Sequence, residues 1–73
     1  MKHICTMEID LCDSDHIFTE VCQEGNKYIT GTYTNNTFLR DKWEVNIEDF
    51  LSLDEALVEL SRMIMDSNTP SNL

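Results

Sequence analysis

Apolar and polar residues alternate along most of this chain, and the period changes near residue 52. From His3 to Leu11, Cys5, Met7, Ile9 and Leu11 alternate with Thr6, Glu8 and Asp10. Successive side chains of a strand point to opposite faces, so this pattern predicts a half-buried β-strand. On it His3 and Cys5 are expected to share a face. CDSD at 12–15 reads as a polar loop. His16 to Gln23 predicts a second strand, with Ile17, Thr19 and Val21 on one face and Phe18, Glu20 and Cys22 on the other. Both faces carry apolar residues, so alternation leaves open which one is buried. Glu24-Gly25-Asn26 predicts a turn, because Gly25 and Asn26 tolerate positive φ.

Lys27 to Thr34, KYITGTYT, is rich in β-branched and aromatic residues and predicts a third strand. Gly31 inside it marks a bulge or a close approach by a covering helix. Asn35-Asn36 predicts a tight hairpin turn. Thr37 to Ile47 predicts a fourth strand, with Leu39, Trp43, Val45 and Ile47 on one face and Arg40, Lys42, Glu44 and Asn46 on the other.

At Ser52 the period becomes helical. Ser52 and Glu55 form an S-x-x-E capping box, in which the serine oxygen accepts from the helix and the glutamate reaches back to the serine amide. Asp54 and Glu55 sit in the first turn, where carboxylates favour the positive end of the helix dipole. Phe50 or Leu51 is placed to staple the first turn. Leu53, Ala56, Leu57, Leu60, Met63 and Ile64 form the apolar stripe. Glu55, Glu59, Arg62 and Asp66 fall opposite it, and Val58 and Met65 lie on a flank beside Asp54 and Ser61. Ser67 to Pro70 ends the helix. The opening S-L-D-E-A-L at 52–57 is similar to the opening of the helix in antitoxins of the HicB type. That resemblance spans six residues and implies a helix that follows a small antiparallel sheet.

Short connections make sequence neighbours sheet neighbours. The apolar face of the sheet needs a cover, and the C-terminal helix is the candidate. The expected fold is α+β: a single two-layer domain, an antiparallel β-meander of three to four strands covered by one C-terminal amphipathic helix (ββββα). The domain is expected to span 1–66, with 67–73 as a disordered tail.

Seventy-three residues bury only about 60% of their unfolded surface, which leaves a thin core and little room for a substrate cavity. Fourteen acidic against five basic residues give a formal net charge of −9. That excess opposes direct binding to nucleic-acid phosphates and to anionic membranes, and favours a partner with a basic surface. The three cysteines are an odd number, and Glu8 and Asp10 interrupt any apolar leader near the N-terminus. Both point to a cytoplasmic protein with reduced thiols.

His3, Cys5, Cys12, His16 and Cys22 are residue types that bind zinc, but no C-x-x-C spacing joins them. Asp10, Asp13 and Asp15 crowd one loop without the calcium-loop pattern. Cys12 or Cys22 with His16 would be the candidate nucleophile and base, in acidic surroundings that work against a thiolate. The expectation is no catalytic, cofactor or metal site, and a small acidic protein that binds a protein partner through its surface. A specific version is an inhibitor of the kind phages and mobile elements encode, whose carboxylates stand where phosphates would in a basic nucleic-acid-binding site. The alternative is an obligate homodimer without a separate ligand, paired by an edge strand or the Val58/Met65 flank. The candidate contact residues are Asp54, Glu55, Val58, Glu59 and Met65 on the helix, then Glu8, Glu20 and Glu44 on the strands.

Overall fold

The computed structural model describes residues 1–10 and 16–68. In chain order these form β1 (Lys2–Asp10), β2 (His16–Glu24), β3 (Lys27–Thr34), β4 (Thr37–Asn46), a single 3-10 turn (Ile47–Asp49) and α1 (Leu53–Asn68). The strands lie in the order β1-β2-β3-β4, each antiparallel to its neighbour. The predicted α+β meander with one C-terminal helix is therefore the observed architecture. Leu11 and the predicted loop at 12–15 lie outside the described residues, as do 69–73.

Turn chemistry sets the hairpins. Asn35 and Asn36 hold φ of 52° and 65°, the double positive φ that a two-residue type I′ turn requires. Gly25 takes φ of 59° at the first central position of the β2–β3 turn, where a side chain is costly. The amide of Ile47 donates to the Asn26 carbonyl at 2.9 Å. This bond carries the ladder past β4 and ties the 3-10 turn to the β2–β3 hairpin.

The core lies between one sheet face and α1. Met7, Ile9, Val21 and Val45 meet Ala56, Leu60 and Ile64, all buried, with Ile4, Cys5, Ile17, Tyr28, Trp43, Phe50, Leu57 and Met63 partly buried around them. The ambiguity in β2 is thereby resolved: the Ile17/Thr19/Val21 face receives the helix. Leu60 and Ile64 are the large fully buried helix side chains, each contributing about 1.5–3 kcal/mol by burial. Leu53, Leu57 and Met63 are only half-buried, so the stripe anchors more narrowly than its spacing predicts.

Four expectations need correction. Leu39 is 50% exposed and does not join the core. Helix α1 continues through Asn68, two residues past the expected boundary at 66, because Ser67 and Asn68 have modest helix propensity and only Pro70 forbids continuation. His3 and Cys5 do not share a face, because the β1/β2 register slips between them. His3 pairs with Cys22, whereas Cys5 pairs with Val21 on the helix side. Gly31 does mark an irregularity, but the helix is not what approaches it. The register shifts between Ile29 and Gly31, and a Cβ at position 31 would lie 2.7 Å from the Phe38 ring.

The shifted stretch is sealed by hydroxyls. Thr30, fully buried, donates to the Trp43 carbonyl at 3.3 Å. Buried Thr19 donates to the Gly31 carbonyl at 3.0 Å. Among the described residues no buried side-chain polar atom lacks a partner, as a thin core demands.

Candidate functional site

The N-terminus of α1 builds the most distinctive surface. Ser52 Oγ accepts from the Glu55 amide at 3.3 Å. Glu55 Oε2 reaches back to the Leu51 amide at 3.1 Å, one residue earlier than the box predicts. Phe50 packs on the core, whereas Leu51 is 95% exposed, so Phe50 takes the stapling role. A shallow groove results, with Phe50 and Val58 as its apolar part and Asp54, Glu55 and Glu59 as its rim. Val58 is 63% exposed. It stands near the outermost line of the helix and does not widen the core stripe. Met65, two turns on, is also exposed.

The rim is strongly negative. Arg62 approaches Glu59 only to 3.9 Å, an exposed pair that contributes little. Asp54 faces no basic partner among the described residues. A second groove, lined in part by Glu44, Asp49, Phe50, Glu59 and Met63, continues around the β4 edge. Phe50 and Asp49 also line these grooves, beyond the candidate residues that helical and strand spacing single out. The stapling position of Phe50 was their one available signal.

The strand acids meet bases or hydroxyls. Glu20 contacts His3 and accepts from Thr6 at 3.0 Å. Glu44 pairs with Lys27 at 2.9 Å. Glu8 lies 3.2 Å from His16. The structure brings Asp54, Glu55, Val58 and Glu59 together and lets Glu44 join them at the edge. It leaves Glu8 and Glu20 on the far face. That face also carries Phe18, Tyr33 and Phe38. The last two rings meet at 5.4 Å and 58°, and Phe18 is 64% exposed.

The thiols are placed for burial. Cys22 is 1% exposed, and burial pushes its thiol up. The Glu20 carboxylate adds to this, against a hydrogen bond from Tyr33 and the N-terminal charge. Burial and then Glu20 likewise raise Cys5. Cys22 and His16 are on the same face of β2, but six residues at about 3.3 Å each hold them roughly 20 Å apart. That separation rules out a thiol–imidazole pair. The zinc set does not assemble among its described members either, because Cys5 faces the helix and His3 the opposite side. Cys12, Asp13 and Asp15 lie outside the described residues. Among the described residues no helix is long and apolar enough to cross a membrane.

Comparison with known proteins finds no matching family model, no matching characterised protein and no matching solved structure.

Proposed function

We propose that this protein is a non-enzymatic binding module that engages a basic segment of a protein partner through the outer side of α1. The observation that carries the reading is the groove lined by the apolar Phe50 and Val58 together with the acidic Asp54, Glu55 and Glu59. An apolar floor supplies affinity, and an acidic rim selects the sign of the partner and speeds encounter. The formal net charge of −9 extends that field over the molecule. The chemistry suits a Lys/Arg-bearing segment with an apolar side chain between its charges. A partner that itself binds nucleic acid presents such a surface, which makes an inhibitor occupying a basic nucleic-acid site the most specific form of the proposal. Free Cys5 and Cys22 fit a cytoplasmic setting.

Capture from an extract of the native host tests this reading, with wild type compared against Asp54→Lys/Glu59→Lys and Val58→Asp. The expected result is a basic protein retained by wild type, released by salt and lost from both variants while their folds stay intact. Retention by both folded variants would overturn the assignment of the surface.

A homodimer is the second reading, favoured by the exposed rings of Phe18 and Tyr33 on the sheet face opposite the helix. It predicts a mass by sedimentation that halves on dilution and in Phe18→Ser.

A further inference from the structure

We propose that Glu8, Asp10 and His16 form a binding site for a divalent transition-metal ion, on the sheet face opposite the helix and separate from the acidic groove. One ligand atom from each residue lies within 4.8 Å of the other two. The backbone ladder brings these donors together. Glu8 and Asp10 are two residues apart on one strand and so share a face. His16 is the cross-strand partner of Asp10, and Glu8 is its diagonal neighbour, within reach of a long side chain.

One ring nitrogen faces both carboxylates. His16 Nδ1 stands 2.6 Å from Asp10 Oδ1 and 3.2 Å from Glu8 Oε2. A ring nitrogen carries at most one hydrogen, so it cannot serve both acceptors well, and the two carboxylates repel each other. The other histidine, His3, lies at the far end of β1 and is different: it meets one carboxylate, Glu20, which Thr6 also satisfies. Donors held about 2.1 Å from a central ion stand about 3.0–3.4 Å apart along octahedral or tetrahedral edges. The His16–Glu8 separation of 3.2 Å falls in this range, the His16–Asp10 separation of 2.6 Å lies below it, and all three donors stand within 4.8 Å of one another, so side-chain rotations would turn the three lone pairs toward one ion. One imidazole and two carboxylates, without thiolate, suit Mn²⁺, Fe²⁺, Co²⁺, Ni²⁺ or Zn²⁺. All three residues are exposed, which leaves further coordination positions to water or to a donor from a partner.

Titration of the metal-free, isotope-labelled full chain with Mn²⁺, followed by nuclear magnetic resonance, tests the site. Mn²⁺ favours oxygen and nitrogen over the cysteines. The expected result is saturable paramagnetic broadening centred on residues 8, 10 and 16. His16→Ala and Asp10→Asn should each weaken it at least tenfold, while His3→Ala leaves it unchanged. Zn²⁺, which such sites bind more tightly than Mn²⁺, should displace the ion and restore the signals. All three variants change exposed side chains, and their spectra report directly whether the fold survives. Broadening spread over the acidic surface, broadening that survives His16→Ala in a folded protein, or none at millimolar Mn²⁺ would each overturn the assignment.

Discussion

The ring of Phe38 occupies the space that a side chain at position 31 would fill. A Cβ on Gly31 would meet two carbons of that ring at 2.7 and 2.9 Å, and the Leu39 carbonyl is closer still. Phe38 thus covers a glycine on the sheet face that α1 leaves open. Gly31→Ala should cost about 1–3 kcal/mol, the range for forcing extra volume into a filled site. Urea denaturation should show a lower midpoint with an unchanged slope.

Thr30 makes a second test of the same region. Its hydroxyl donates to the Trp43 carbonyl where the β3/β4 register shifts. Thr30→Val keeps the shape and removes the donor. Loss of this part-buried hydrogen bond costs about 0.5–1.5 kcal/mol, readable as a drop in thermal midpoint. A neutral result would mean that the carbonyl finds water.

Helix α1 should divide sharply around its circumference. Leu60→Ala removes a fully buried side chain and should cost about 2–5 kcal/mol. Val58→Ser, on the outer side, should stay within about 0.5 kcal/mol. Ser52→Ala removes the cap that accepts from the Glu55 amide and should cost about 1 kcal/mol. Denaturation of the three variants in parallel checks the order.

Stability should fall at alkaline pH. The thiols of Cys5 and Cys22 are both raised above an ordinary value of 9.0, chiefly by burial. The folded chain therefore keeps protons that the unfolded chain releases, and the slope of unfolding free energy against pH is negative there. The contribution is fully present below pH 9.0 and is lost as pH rises through the higher folded-state values. Cys22→Ala should lower overall stability through the lost packing and flatten this slope. An unchanged slope would assign the effect elsewhere. In native protein at pH 8, Cys22 should also resist thiol reagents until the chain unfolds, since thiolate and access are both needed.

The acidic groove was partly legible. Asp54, Glu55, Val58 and Glu59 could be grouped from helical spacing alone, because residues three and four apart are neighbours on one surface. Phe50 could be placed next to them but not assigned as the floor, since Leu51 competed for the same role. Alternation gives Glu8, Glu20 and Glu44 the same status, each a strand acid at an outward position. Only cross-strand pairing decided that Glu8 meets His16, Glu20 meets His3 and Thr6, and Glu44 meets Lys27.

The sequence by itself determined the element order, both turns, the helix cap and the stripe that docks. These follow from local rules: period two against period 3.6, positive φ at Asn35, Asn36 and Gly25, and a serine three residues ahead of a glutamate. Tertiary structure decided whatever depends on register. A slip between His3 and Cys5 sends those two side chains to opposite faces, and a slip between Ile29 and Gly31 places Phe38 over Gly31 while Leu39 stays exposed. Alternation is a property of one strand, but the partner of each residue depends on every residue inserted between two strands. The pairing of Asp10 with His16, and the three-donor cluster it completes, became visible only once that register was fixed.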